Sequence, residues 1–301
     1  MIGCDLIRDL KMYKLPIEKF KDFAEDIIFI NPNNPERLDE VEIYLGDRIT
    51  IDMIDKMPNL KWIHLTCVGF DKLIDLDRDD IIITNSKGIM DSSIISTTLG
   101  FIFTLARGIN YCIKDKVDRH KFDKYFDKIQ DVSNQTCLIV GMGNIGNKLK
   151  TILKSLDMNV IGINSNNMHK LKDCISNSDF VVNLLPLTNK TKSIFNKKVL
   201  GKMKNTSYII NVGRGQTIVE EDLIYVLKNN IIAGAGLDVF EKEPLSDNSE
   251  LWELDNVILT PHIAGLGSNY WDKEYKLFKN NFNRYKNSKE MLNIINLKRG
   301  Y

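Results

Sequence analysis

The chain has 301 residues, enough for about two domains with cores of their own. Hydrophobic residues make up 43% and charged residues 27%, an ordinary soluble composition with no internal repeat and no low-complexity linker. Lys plus Arg number 41 against 40 for Asp plus Glu, so the charge gives no reason to expect a nucleic-acid partner or an anionic membrane surface.

The N-terminal stretch "MIGCDLIRDLKMYK" carries charges throughout and lacks an apolar core of signal-peptide length. "DIIFI" (26–30) and "VEIYLG" (41–46) read as short strands, and "ITIDMIDKM" (49–57) as a helix ended by Pro58. "LKWIHLT" (60–66) and "DIIITN" (80–85) are again strands. The pattern over 92–110 predicts a buried helix. Its apolar part, "IISTTLGFIFTLA" (94–106), is too short for a bilayer, which takes about 20 residues.

After a polar amphipathic stretch a second series begins at "TCLIVGMGNIG" (136–146). Strands follow at "NVIGIN" (159–164), "DFVVNLLP" (179–186), "SYIINVG" (207–213), "GAGLDVF" (234–240) and "NVILTPH" (256–262). Between them "EEDLIYVLKNN" (220–230) reads as a helix whose acidic first turn and basic last turn suit its dipole. The tail over 270–287 is helical in pattern and is expected to cross back to the first domain. Alternating strands and helices predict an α/β protein with largely parallel, doubly wound sheets. Cys4, Cys67, Cys112, Cys137 and Cys174 are odd in number and form no Cys-x-x-Cys pair, so they read as reduced thiols of a cytoplasmic protein.

"GMGNIG" places Gly141, Gly143 and Gly146 after an apolar strand and at the start of a helical pattern. Gly141 permits the tight turn, Gly143 lets backbone approach a pyrophosphate, and Gly146 lets the helix pack on the sheet. The helix N-terminus then offers N–H groups and a positive dipole end to phosphates. The alternative is a glycine-rich turn with no ligand.

A second constellation is dispersed over "NVGRG" (211–215), "GLDVFEKEP" (236–244) and "TPHIAG" (260–265), each at the C-terminal end of a predicted strand. In open α/β sheets those ends line the crevice where ligands bind. Singly, Arg214 reads as a surface charge, Asp238 as a turn cap, Glu243 as a loop acid and His262 as a satisfied loop histidine. Together they suit hydride transfer between a nicotinamide and a carbonyl. His262 can protonate the forming alkoxide near neutral pH, and a hydrogen-bonded Glu243 favours its imidazolium form. Arg214 can fork onto a substrate carboxylate and polarise the neighbouring carbonyl, and Asp238 can orient the nicotinamide end.

These motifs resemble, in order and spacing, those of the D-isomer-specific 2-hydroxyacid dehydrogenase family: "GMGNIG", "LLPLTNKT" (184–191), "NVGRGQTIVEEDL" (211–223), "GAGLDVFEKEPL" (234–245) and "TPHIAG". The resemblance covers about residues 58–301. It implies two Rossmann- or flavodoxin-like domains with a cleft between them: a substrate-binding domain over 1–93 plus 272–301, and a dinucleotide-binding domain over 94–271. It places the catalytic Arg, Glu and His on Arg214, Glu243 and His262. The implied cofactor contacts are Gly141, Gly143, Asn144, Ile145, Gly146, Asn164, Ser165, Leu185, Pro186, Thr191, Val212, Gly213, Arg214, Asp238, His262 and Gly265. "TCVGFDKL" (66–73) resembles the loop that holds the substrate carboxylate through backbone N–H groups, here at Val68 and Gly69 beside Arg214 and His262. A homodimer acting on a 2-oxo acid and D-2-hydroxy acid pair is implied, with no nucleic-acid or membrane partner.

Three features depart from the family pattern. The first twenty residues offer a weak strand at best, which leaves open at the sequence level whether the first domain has its usual edge element. The inter-domain helix reads Ile94-Ile95-Ser96 where the family carries an early acid. The strand before "GINSNN" ends in Asn164 and Ser165, where a carboxylate would hold the ribose of NAD and repel a 2′-phosphate. The cofactor is therefore NAD or NADP, with His169 and Lys170 the nearby cations.

His64, His120, His169 and His262 have no partner at ligand spacing, so no metal is expected. His64 reads as a packed strand residue, Cys67 as a structural thiol and Trp252 as a packing residue. Tyr270 and Trp271 either wall the substrate pocket or pack in the core. The reading is an NAD(P)-dependent 2-oxo acid reductase. Its alternatives are a dinucleotide-sensing, corepressor-like binding protein and a phosphoglycerate dehydrogenase without a regulatory domain.

Overall fold

The computed structural model describes residues 1–4, 20–23, 27–30, 37–114, 126 and 129–297; His120 lies outside them. The chain divides into two compact units, Met1–Met90 with Gly267–Tyr301, and Asp91–Leu266.

The first unit contains β1 (Ile2–Cys4), β2 (Ile27–Phe29), β3 (Ile43–Gly46), α1 (Ile51–Ile54), β4 (Trp62–Leu65) and β5 (Ile82–Asn85). Its sheet runs β2-β1-β3-β4-β5, and every pair is parallel. The weak strand at the N-terminus does form: it is β1, an interior strand paired on both sides. Three residues are too few to show a period, and the middle one is Gly3. A Cβ there would lie 2.5 Å from Ile30 Cδ1 and 2.9 Å from Val41 Cγ2, so the strand's small centre is a packing requirement.

The second unit opens with α2 (Asp91–Ala106) and α3 (Ile109–Lys114). The single helix expected over 92–110 is broken at Gly108, whose φ of 60° is left-handed and whose N–H bonds back to Leu105 O. Then follow β6 (Thr136–Val140), α4 (Asn144–Ser155), β7 (Asn159–Ile163), α5 (Leu171–Cys174), β8 (Phe180–Asn183), α6 (Lys197–Leu200), β9 (Tyr208–Asn211), α7 (Glu220–Lys228), β10 (Gly234–Leu237) and β11 (Val257–Leu259). The sheet order is β11-β10-β9-β8-β6-β7, again all parallel. The order reverses between β6 and β8, which makes their C-terminal ends the switch point where such sheets take ligands. Two apolar clusters cover the sheet. One includes Leu138, Val140, Val181 and Ile209, and the other joins Ile139, Val182 and Ile210 to Phe101, Ile102, Leu149 and Leu153 of α2 and α4. Alternate residues of one strand thus enter opposite clusters, as a doubly covered sheet requires.

α8 (Tyr270–Lys286) returns to the first unit. Its Phe278 is fully buried and stacks on Trp62 of β4 at 5.2 Å. His64 is packed in β4, as its apolar neighbours predict, but it is also part of a buried polar chain. One ring nitrogen lies 2.7 Å from Thr84 Oγ1 and the other 2.8 Å from Glu274 Oε1 of α8. Tyr270 is buried too, its hydroxyl donating to the Thr66 carbonyl, and burial pushes that hydroxyl's pKa up. Trp252 corrects its expectation. It is half exposed, because the short 3-10 turn Glu250–Glu253 buries Leu251 instead, and its indole N–H closes the loop onto Ser246 O at 2.9 Å.

Candidate active site

The phosphate cradle sits where β6 meets α4. Gly141 takes φ 113°, and its N–H and that of Met142 both donate to Ile163 O, at 2.9 and 3.1 Å. A Cβ on Gly141 would meet the Leu184 backbone at 2.8 Å, and one on Gly146 the Gly141 carbonyl oxygen at 2.5 Å. These two glycines therefore let turn, helix and β8 end close on one another. Gly143 differs: it is the exposed N-cap of α4, and a Cβ there would meet nothing within 4 Å. No side chain caps this helix. Its first-turn N–H groups, starting at Asn144 and Ile145, thus sit beside open space with the positive end of the dipole behind them. The cradle fits a dinucleotide pyrophosphate. The Asn144 side chain is turned elsewhere, donating to Asp91, which Lys148 also approaches at 2.6 Å.

At the end of β7 the stretch 164–167 is a side-chain-built turn. Asn164 Oδ1 accepts from Asn166 N–H at 2.9 Å, Asn167 Oδ1 from Asn164 N–H at 2.7 Å, and Asn167 Nδ2 reaches Gly162 O at 3.0 Å. With its oxygen committed to the backbone, exposed Asn164 has its Nδ2 donor left to offer a ligand.

The turns after β8 and β9 are built on two asparagines whose role was not legible in the sequence. Buried Asn183 donates to Asn211 Oδ1 at 2.9 Å and Thr217 Oγ1 at 2.6 Å, and its own oxygen accepts from Leu185 N–H at 3.1 Å. Asn211 Oδ1 also takes the Gly213 N–H at 3.2 Å, and Asn211 Nδ2 reaches Arg214 O. An Asn at the end of an otherwise apolar strand was the available signal. Thr191 closes the neighbouring loop, its hydroxyl bonding to Pro186 O at 2.6 Å. Val212 is buried in the apolar cluster that holds Ile210 and Ala264. Gly215 lets the Arg214 turn approach the loop after β10, since a Cβ there would overlap the Phe240 carbonyl.

His262 stands in the loop after β11 with φ 54°, a left-handed conformation costing a non-glycine residue on the order of 1 kcal/mol. Asp238, 1% exposed, holds it there. Its carboxylate accepts from Thr260 Oγ1 at 2.6 Å and from the N–H groups of Ile263 and Ala264, both at 2.9 Å, just before Gly265. Its carbonyl accepts the His262 N–H at 2.8 Å. The Asp238 carboxylate is thus turned into the loop as its clamp. His262 Nδ1 meets Glu243 Oε2 at 2.6 Å, while Glu243 Oε1 accepts from Phe240 N–H at 3.1 Å. Half-burial pushes the Glu243 carboxyl up. The His262 bond and charge, the Phe240 N–H and the Arg214 guanidinium outweigh that and hold it below the usual carboxylate range. Arg214, Glu243 and His262 therefore share the same end of one sheet with the glycine cradle. Nδ1 being engaged, Nε2 is the ring atom left to exchange a proton with a substrate. Among the described residues no group of three His, Cys, Asp or Glu side chains could hold a metal ion, and no helix is long and apolar enough to cross a membrane.

Residues 99–264 match the profile described as D-isomer specific 2-hydroxyacid dehydrogenase, NAD binding domain. The chain belongs to that family. A glyoxylate reductase of Thermofilum pendens is 34% identical over 239 residues, 73% of this chain and 70% of the relative. A probable 2-ketogluconate reductase of Dictyostelium discoideum is 32% identical over 280 residues, 84% of each chain. Among solved structures, an NADPH-dependent glyoxylate/hydroxypyruvate reductase of Sinorhizobium meliloti, in complex with NADP and sulfate, superposes with a TM-score of 0.82 at 23% identity, covering 100% of this chain and 99% of that one. This 2-hydroxyacid dehydrogenase family member is an oxidoreductase whose cofactor is NAD or NADP.

Proposed function

We propose that this chain reduces a small 2-oxo acid to the D-2-hydroxy acid, with either NADH or NADPH as hydride donor. The observation that carries the reading is the 2.6 Å contact of His262 with Glu243, at the sheet end that also carries the glycine cradle. The cradle of Gly141, Gly143, Asn144, Ile145 and Gly146 would hold the pyrophosphate. Asn164 and Ser165 would face the adenosine ribose, with Leu185, Pro186, Thr191, Val212, Gly213 and Gly265 along the remainder. When bound, the dinucleotide supplies the hydride that reaches C2 of the substrate.

The other roles fall to the chain itself. His262 gives its Nε2 proton to the oxygen that becomes the hydroxyl, while Glu243 holds the ring through Nδ1. Arg214 polarises the carbonyl and binds the carboxylate, a task its planar fork suits. Asp238 acts through the loop it clamps, setting where His262 stands. The family resemblance assigns the carboxylate also to the backbone of Val68 and Gly69. It likewise supports a cytoplasmic homodimer.

Asn164 carries no charge to repel a 2′-phosphate, which supports use of both cofactors. Steady-state rates with glyoxylate, hydroxypyruvate, pyruvate and bulkier 2-oxo acids, each with NADH and NADPH, test the reading. Turnover of at least one acid to the D product is expected. Exclusive formation of the L product would contradict the proposed stereochemistry.

A further inference from the structure

The segment after β4 is unusual in how its carbonyls are treated. Leu65 O accepts from Ser86 Oγ at 2.8 Å, Thr66 O from the Tyr270 hydroxyl, and Cys67 O from Ser86 N–H at 3.2 Å. Val68 O accepts from Asn85 Nδ2 at 2.8 Å, Gly69 O from Cys67 Sγ at 3.1 Å, and Phe70 O from Leu73 N–H at 2.8 Å. Six consecutive carbonyls are each tied down. Among the described residues, no acceptor meets the N–H groups of Val68 and Gly69.

A planar trans peptide points its C=O and the following N–H in opposite directions. The Val68–Gly69 peptide is trans, so whatever holds Val68 O also aims the Gly69 N–H. That holder is a side chain at the end of β5, and it is fixed at both of its ends. Asn85 is 6% exposed, and its Oδ1 takes the Lys87 N–H at 3.2 Å, so its amide cannot turn round without losing both bonds. Its backbone is clamped in turn by the C-terminal segment. Asn85 N–H donates to Asn293 O at 3.2 Å, and Asn293 Nδ2 donates to Asn85 O at 3.1 Å and Lys87 O at 2.9 Å.

We propose that Asn85 is the positioning residue that aims the Gly69 N–H at the substrate carboxylate. This rests on the proposed reading of the Val68–Gly69 loop. Asn85 touches neither substrate nor cofactor. Without its donor, Val68 O would have to find water, and the peptide plane would be free to turn its N–H away from an anion.

The test compares wild type with Asn85→Ala and Asn85→Thr in the full chain. Thr is uncharged and suits a strand, so it keeps the test decisive should the Ala variant fail to fold. The probes are the 2-oxo acid that wild type turns over best and its methyl ester, which lacks the anion. The KM for the acid is expected to rise about tenfold or more, the scale of one hydrogen bond to a charged group. The KM for the ester, kcat, and NAD(P)H affinity by fluorescence titration are expected to stay within about twofold on the same scale. An unchanged KM for the acid in a variant with wild-type thermal unfolding overturns the inference alone. So does an equal loss with acid and ester, which marks general damage. A wild type that binds cofactor yet turns over no 2-oxo acid overturns the proposed function and takes the inference with it, and that failure shows before any variant is made.

Discussion

His262, Glu243 and Arg214 have opposite demands placed on them. In the proposed reaction the His–Glu pair has to stay hydrogen-bonded yet open to substrate, and its side chains are half and one-third exposed. Glu243 carries the pH signature. Its carboxyl is held below the ordinary value of 4.5, so the native state favours the ionised form. A depressed pKa contributes stability that is present above the unfolded value and is lost as pH falls through the folded one. The stability gap between wild type and Glu243→Gln is therefore expected to be full at neutral pH and to shrink as pH drops below about 4.5. Denaturant melts across pH 3–8 check this, and a gap independent of pH would remove the charge of Glu243 from the account. Arg214, Glu243 and His262 stand out in the sequence because three chemically distinct residues recur at predicted strand ends. Asp238 was read as a cofactor contact or a turn cap, and its carboxylate bonds make it the clamp of the 260–264 loop. That assignment needs the β10–β11 register, which places residues more than twenty positions apart in contact. Local pattern does not carry it.

Elements show the same division. Strands with long apolar runs, such as β6 and β8, announce themselves. β1 does not, since its three residues are recognised by the strands on either side and by the side chains crowding Gly3. The corner at the end of β7 was legible as an absence of charge, but not as a turn in which Asn164 spends its oxygen on Asn166. That detail sharpens a prediction. Asn164→Asp keeps the accepting oxygen and puts a negative one where Nδ2 stands. The ratio of kcat/KM for NADH over NADPH is expected to rise about tenfold or more, the scale of a charged hydrogen bond gained and a 2′-phosphate repelled. An unchanged ratio would mean the ribose lies elsewhere. α8 offers a test of packing. Phe278 is fully buried against Trp62 and Phe20, and Phe278→Ala is expected to cost about 3–5 kcal/mol. A loss below about 1 kcal/mol in a reversible denaturant titration would show that α8 is not docked as described.

Across the whole molecule, two parallel sheets of the same winding serve different ends. In the second unit, glycines let the C-terminal ends of the strands close on one another, and the cradle and the His262 pair arise at that edge. In the first, the segment after β4 has its carbonyls tied down and its Val68 and Gly69 N–H groups left to offer. Both arrangements leave backbone N–H groups to offer, which is what a phosphorylated cofactor and a carboxylate substrate would need under the proposed function. Catalysis by this chain is most directly tested by comparing wild type with His262→Ala, measuring NAD(P)H binding and 2-oxo acid reduction on the same preparations. Cofactor affinity is expected to change little while turnover falls by about 10²-fold or more, the scale of a positioned acid–base group. Near-normal turnover in the variant would contradict the assignment of His262, and a wild type that binds cofactor tightly but reduces no 2-oxo acid would contradict the reaction itself.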